Sequence, residues 1–359
     1  MHARARCVKR MAMSQRAAQS QRILVVGPSW VGDIVMSQCL MKALRTREPD
    51  APIDVLAPAA LAPLLRRMPE VEGVVESPFR HGVLALADRF ALGRSLAGRY
   101  GAAYVLPGSW KSAIVPFMAG ARRRCGYLGE VRWGLLNDIR PLPPSMKRKT
   151  ATLYQALVEP DVFTEPSRLR APALIVDAEN QARSLKAFGL SRGSFAIFAP
   201  GAEFGPAKRW PSRHWVDLAK SLDRAGLRTV LLGSRSDSEM GTEIARGRPF
   251  ILDLTGRTRI EDAIDLIAAS RFAVSNDSGL MHVAAAVGCK VAAVYGPTSP
   301  DDTPALSETS RSVSLALPCS PCRERVCRLG HMNCLERLGA VEVLTALATL
   351  EPAIGLRRH

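Results

Sequence analysis

Residues 272–288, FAVSNDSGLMHVAAAVG, read as one strand, one turn and one helix. Phe272, Ala273, Val274 and Ser275 are short and strand-compatible, and Asn276-Asp277-Ser278-Gly279 is turn and cap chemistry. Leu280 to Val287 is a compact helical run ended by Gly288. A helix start exposes unpaired amides at the positive end of the helix dipole, which suits a phosphate, while the Asp277 carboxylate suits neutral sugar hydroxyls nearby. One turn thus offers a place to both halves of a nucleotide sugar. Alone, the same turn is better read as Asp277 or Ser278 capping a buried helix, so the decision rests on what surrounds it.

Outward from this stretch, strands and helices alternate. Ile260 to Ala269 is a helix leading into it, and Val291 to Tyr295 is a strand leaving it and closing with Gly296-Pro297. Upstream lie the strand Phe195 to Ala199, the helix Trp215 to Arg224, the strand Arg228 to Leu232 ending at Gly233-Ser234, and the strand Ile251 to Leu254. An earlier series has strands at 22–26, 53–57, 73–76 and 102–106, with helices at 34–45, 61–68, 89–99 and 113–119. Proline-rich and mixed polar sequence at 141–144 and 159–172 separates the two series. The expectation is an α/β protein of two doubly wound parallel sheets: a basic extension over 1–20, one domain over 21–165 and another over 175–350. Such sheets place a crevice at the carboxyl ends of their strands, and two of them suggest a central cleft with one substrate per domain.

With 47% hydrophobic and 23% charged residues in 359, the chain has material for two cores, and no disorder-dominated reading fits. No apolar run approaches the roughly 18 residues of a membrane span; the best, 113–121, contains Pro116 and Gly120. A formal charge of +16 implies an anionic partner. Nucleic acid is disfavoured, because the basic residues are scattered apart from Arg122-Arg123-Arg124 and Lys147-Arg148-Lys149, with no finger, RRM or basic-zipper pattern. Eight cysteines, four of them isolated, point to a reducing compartment. The first twenty residues are basic without the apolar core of a secretory signal, and read as a disordered extension ahead of a start at Met11 or Met13.

Three turns carry the chemistry. Gly27-Pro28-Ser29-Trp30-Val31-Gly32-Asp33 follows the first strand, but no Lys-Ser or Lys-Thr follows its second glycine and the three-glycine dinucleotide spacing is missing, which disfavours ATP or a nicotinamide. Pro107-Gly108-Ser109-Trp110-Lys111-Ser112 brings donors, a cation and an aromatic to another helix start. Pro200 to Pro211, PGAEFGPAKRWP, fixes Lys208 between strand and helix, where it is placed to neutralise a phosphate.

Together with Asn276-Asp277-Ser278-Gly279-Leu280-Met281-His282, these stretches resemble the ADP-heptose:lipopolysaccharide heptosyltransferases, glycosyltransferase family 9. The likeness runs from about Ile23 to about Asp302 and includes Pro69-Glu70-Val71, Tyr104-Val105-Leu106-Pro107, Gly134-Leu135-Leu136-Asn137-Asp138 and Tyr295-Gly296-Pro297-Thr298-Ser299-Pro300. It implies the GT-B fold, an ADP-L-glycero-D-manno-heptose donor, inversion at the anomeric carbon, and a Kdo-lipid A acceptor already bearing one heptose. The protein would work at the cytoplasmic face of the inner membrane, touching the bilayer peripherally. No cofactor is required, and stimulation by Mg2+ is left open.

Carried over residue by residue, Asp33 matches the catalytic carboxylate, the general base, which a helix start should keep ionised. Lys208 matches the lysine that meets the donor phosphates and steadies the departing ADP. Asp277 falls to the heptose hydroxyls, the amides of Ser278 and Gly279 to phosphate, and His282 one helical turn beyond Ser278 to the same turn. Thr258 falls at the adenine-contacting position, and either Asp237 or Glu239 at the ribose. From charge and shape, Ser29, Trp30, Ser109, Trp110, Lys111, Arg122, Arg123 and Arg124 suit the acceptor. The tail Cys319-x2-Cys322-x4-Cys327-x6-Cys334, with His331 inside it, invites a zinc reading, but its spacing departs from paired CxxC sites and no residue is taken as a metal ligand. Two alternatives stay open: a family transferase with a heptose-free or different acceptor, and an inactive basic binding module.

Overall fold

The computed structural model describes residues 22–79 and 82–352. The basic extension over 1–20, with the question of its start codon, lies outside the described residues. The chain divides into two compact units between Arg170 and Ala171, inside the gap left by the expected domain limits.

In the first unit the elements run β1 (Ile23–Val26), α1 (Val31–Arg47), β2 (Ile53–Pro58), α2 (Ala62–Leu65), β3 (Gly73–Ser77), α3 (Leu86–Ser95), β4 (Ala102–Val105), α4 (Ile114–Met118), β5 (Arg123–Tyr127), β6 (Asp138–Arg140) and α5 (Thr150–Ala156). Its six strands are all parallel, in the order β3-β2-β1-β4-β5-β6. β1 is ILVV and wholly buried, the continuous apolar run that a strand covered on both faces requires. On one face Leu24, Leu56, Leu96, Val105, Val115 and Leu136 form a buried cluster.

The second unit runs α6 (Ala178–Ala187), β7 (Phe195–Ala199), α7 (Ser212–Arg224), β8 (Arg228–Leu231), α8 (Ser238–Ala245), β9 (Ile251–Asp253), α9 (Ile260–Ala269), β10 (Ala273–Asn276), α10 (Gly279–Ala286), β11 (Val291–Val294), β12 (Ser310–Val313), α11 (Asn333–Glu336) and α12 (Ala340–Leu350). Its order is β12-β11-β10-β7-β8-β9, again all parallel. Counted from its own first strand it repeats the order of the first unit, the 3-2-1-4-5-6 of a dinucleotide-type sheet. α7 buries Trp215, Leu218, Ala219 and Leu222 at helical spacing. α12 packs within this unit, burying Val343, Leu344 and Leu347 in the cluster of Phe198, Trp210 and Trp215.

The fold class is the α/β, twice doubly wound architecture expected. Several elements are new relative to the sequence reading, α5, α8 and α11 among them. α6 starts at Asp177, whose carboxylate accepts from the amides of Glu179 and Asn180, in a stretch of the second domain to which no element was assigned. β6 and β12 are short strands at the sheet edges, with too few apolar residues to show periodicity. β5 is RRCGY, read as a basic patch; its pairing with β4 and the packing of the Arg123 guanidinium over the Tyr104 ring, 5.5 Å from the centroid, make it a strand. The helix expected over 61–68 is one α-turn, Ala62–Leu65, preceded by a 3-10 turn. No helix among the described residues is long and apolar enough to cross a membrane.

Candidate active site

In a parallel sheet every strand delivers its following loop to the same edge, and the neighbours at which strand order reverses leave a crevice there. In the second unit those neighbours are β7 and β10. The loop after β7 carries Lys208, and the turn after β10 carries Asp277. The Lys208 Nζ donates to Asp277 Oδ2 at 2.6 Å and lies 3.3 Å from its carbonyl oxygen. The side chains are 13% and 5% exposed, so the pair is desolvated and charge-assisted.

Asn276 locks the two loops together. Fully buried, it donates from Nδ2 to Pro200 O at 2.6 Å and accepts from the Trp210 amide at Oδ1 at 3.3 Å. Thr298, after β11, donates its hydroxyl to Asp277 Oδ2 at 2.6 Å, and Thr303 reaches Asp277 Oδ1 at 3.4 Å. The Asp277 carboxylate is thus aimed by an ammonium and two hydroxyls. Lys208 also lies over the Phe204 ring, 4.9 Å from its centroid, and the Arg325 guanidinium lies 5.5 Å from the same centroid. The segment around Arg325 is held by Ala207 N donating to Arg325 O at 3.2 Å, and Gly205 lets the two backbones meet: a Cβ there would stand 2.6 Å from Arg325 O.

The capping alternative for the opening stretch is not what the structure adopts. Ser278 is the N-cap residue of α10 without a side-chain cap bond, and its hydroxyl pairs with Ser275 Oγ at 3.1 Å. His282 sits within α10 and is buried; that burial pushes its pKa down to about 4, with Asp277 pulling it up and Lys208 pressing it down. The ring is therefore neutral at pH 7.

The two acids proposed for the ribose differ in their surroundings. Asp237 accepts from the Ser234 amide at 2.9 Å and the Ser234 hydroxyl at 2.7 Å, a capping box that occupies its buried carboxylate. Glu239 is exposed in the first turn of α8. A third acid, Glu203, accepts from Ser234 and Ser236 hydroxyls at 3.4 Å each. Thr258 lies half-buried in the loop between β9 and α9. Lys208, Asp237 and Glu239, Thr258, Asp277 and Thr298 thus follow five successive parallel strands and share one edge of one sheet.

In the first unit the reversal lies between β1 and β4. Ser29 and Trp30 are exposed after β1, and Asp33 is half-buried in the first turn of α1, where the helix dipole favours its charge. Burial and the Asp33 charge raise the hydroxyl of Tyr154, on α5, well above its usual range. Ser109, Trp110 and Lys111 follow β4 at the same edge; Lys111 Nζ donates to Val83 O at 3.3 Å. Arg122, Arg123 and Arg124 do not join them. Arg122 precedes β5 and Arg123 and Arg124 open it, at the amino ends of the strands, where Arg123 pairs with Asp138 at 2.7 Å and Arg124 donates to the carbonyls of Leu135 and Ala121.

Asn276, Thr298, Thr303, Phe204 and Arg325 were not assigned roles from sequence. Thr298 had a signal, the Gly296-Pro297-Thr298 turn after a strand of the same sheet; Arg325 had none. The thiols of Cys319, Cys322, Cys327 and Cys334 are free, and among the described residues no group of three or more His, Cys, Asp or Glu stands where it could hold a metal ion.

Residues 89–333 match the model of glycosyltransferase family 9 (heptosyltransferase). The chain is 47% identical to lipopolysaccharide heptosyltransferase 2 of Escherichia coli K12 over 306 residues, 82% of this chain and 88% of that one. It is 43% identical to lipooligosaccharide heptosyltransferase 2 of Haemophilus influenzae over 82% and 88% of the two chains. Its structure is similar to that of E. coli ADP-heptose lipopolysaccharide heptosyltransferase II, with a TM-score of 0.81 and 42% identity, covering 92% of this chain and 98% of that one.

Proposed function

Because the chain belongs to glycosyltransferase family 9, the heptosyltransferases, we propose that it transfers heptose from ADP-L-glycero-D-manno-heptose to the first heptose of the Kdo-lipid A inner core. The observation that carries this reading is the 47% identity to a lipopolysaccharide heptosyltransferase 2 across 88% of that enzyme's length.

The chemistry assigned to the residues follows their surroundings. Asp33 takes the proton of the acceptor hydroxyl as its oxygen attacks the anomeric carbon; the bond from that carbon to the β-phosphate oxygen breaks, and ADP leaves with the electron pair. Attack opposite the leaving group inverts the centre. Charge grows on the diphosphate as it departs, and Lys208 offsets it, helped by the amides of Ser278 and Gly279. Asp277 orients the sugar hydroxyls, its lone pairs aimed by Thr298 and Thr303. With Asp237 engaged in its capping box, Glu239 is the acid assigned to the ribose hydroxyls, and Thr258 borders the adenine. The acceptor falls to Ser29, Trp30, Ser109, Trp110 and Lys111. No cofactor is needed; EDTA is expected to leave turnover intact, and any stimulation by Mg2+ is read in the same assay. The work is assigned to the cytoplasmic face of the inner membrane, where a lipid-anchored acceptor and a nucleotide-sugar donor meet.

The test supplies ADP-heptose and acceptors bearing zero or one heptose and reads products by mass. Product on the one-heptose acceptor is expected. Product on the heptose-free acceptor alone refutes the choice of acceptor, and none on either refutes the transferase reading.

A further inference from the structure

Residues 130–134, EVRWG, invert the usual rule of burial. Arg132 is 1% exposed, while Val131 and Trp133 on either side of it are 72% and 67% exposed. Hydrogen bonds hold the inversion. The Arg132 guanidinium donates from Nε to Leu128 O at 3.0 Å, from Nη1 to Pro107 O at 2.7 Å and to Ser112 Oγ at 3.3 Å, and from Nη2 to Tyr127 O. A buried guanidinium requires such partners, and with it anchored inward the flanking apolar side chains are displayed to solvent.

These side chains have company. The loops after β3, β4 and β5 leave the first sheet at one edge and carry exposed Val83, Leu84 and Trp110 as well as Val131 and Trp133, with exposed Leu86 opening α3. The loops are tied to one another: Lys111 Nζ donates to Val83 O at 3.3 Å, and Trp110 N donates to Glu130 Oε2 at 3.0 Å. The charge of these loops is one-sided. Besides the inward-turned Arg132, the segments 82–85, 106–112, 128–134 and 141–149 contain Lys111, Lys147, Arg148 and Lys149 against the single acid Glu130. Lys147 and Arg148, after β6, are exposed.

We propose that this edge of the first unit is a membrane-docking surface, with Val131 and Trp133 entering the interfacial layer of an anionic bilayer and Lys147 and Arg148 meeting its headgroups. Indole rings favour that layer, and an apolar foothold with a basic rim supplies the two signals that stable peripheral binding takes. A second copy of the chain is a poor occupant, since each copy carries +16. The surface deepens the functional reading, on which it rests for its purpose: the loops that dock also flank Ser109 to Lys111, proposed for a lipid-anchored acceptor.

The test uses the full chain and vesicles without acceptor. Wild type is expected to co-sediment with phosphatidylethanolamine–phosphatidylglycerol vesicles, to ignore phosphatidylcholine alone, and to lose tryptophan fluorescence to brominated lipid. Val131→Ser with Trp133→Ser should lower partitioning about tenfold and remove part of the quenching, while transfer to a deacylated acceptor stays unchanged. Lys147→Gln with Arg148→Gln should weaken the dependence on anionic lipid and on salt. Wild type that ignores anionic vesicles, or a Val131/Trp133 variant that binds as wild type does, overturns the proposal; so does loss of transfer to the deacylated acceptor in that variant, which would make the loop a sugar site. Vesicle binding by a protein that makes no heptosylated product supports the docking surface and refutes the transferase reading alone.

Discussion

Lys208→Ala would strand the Asp277 carboxylate, 5% exposed, with only two hydroxyls for partners. Breaking a buried pair from one side costs roughly 3 kcal/mol, so a lower unfolding midpoint is expected together with weaker ADP binding by calorimetry. Adding Asp277→Ala should restore part of the lost stability and none of the activity, a non-additivity that an unpaired surface lysine would not produce. Asp33→Asn is expected to lower kcat about 10²–10⁴-fold with ADP affinity unchanged; unchanged turnover would remove Asp33 from the role of base. His282 has the opposite sign from a paired histidine. Its folded pKa, about 4, lies below its ordinary 6.5, so between those values the unfolded chain binds the extra proton and stability falls as pH drops through that window. His282→Gln should flatten the pH dependence of the unfolding midpoint between pH 6.5 and 4; an identical slope would mean the histidine is not the group responsible.

At the scale of elements, the donor site depends on backbones meeting where side chains would intrude. Gly205→Ala puts a Cβ 2.6 Å from Arg325 O, a backbone atom with no room to yield. The loop of Lys208 should shift, raising the donor KM several-fold, with little change in KM for Gly247→Ala, whose Cβ would meet nothing and whose left-handed φ of 70° costs stability instead. Equal effects from the two would detach the Gly205 turn from donor binding. The strands were legible where burial on both faces imposed apolar runs, as in Ile23–Val26, Phe195–Ala199 and Val291–Val294. They were illegible where short or charged: Asp138–Arg140 and Ser310–Val313 are brief, polar edge strands, and Arg123–Tyr127 opens with two arginines whose guanidinium groups lie over the Tyr104 and Phe117 rings.

For the molecule as a whole, the +16 charge predicts that salt should weaken vesicle binding far more than it weakens ADP binding, because exposed lysines and arginines are screened while the Lys208–Asp277 pair is desolvated. Parallel falls of the two with added NaCl would contradict that division. Two sheets with one strand order, each delivering its loops to a single edge, explain why residues as distant in sequence as Lys208 and Asp277 meet.

By itself the sequence determined the alternation of strand and helix, the presence of two sheets, and which turns carry a carboxylate or a cation, because local periodicity and turn chemistry are properties of neighbouring residues. Only the tertiary structure decided what those groups do to one another. It paired Lys208 with Asp277, occupied Asp237 as a cap, sent Arg122 to Arg124 to the far edge of their sheet, and turned Arg132 inward with Trp133 outward. Each of these is a contact between segments brought together by strand order, and strand order is set by the burial of whole elements.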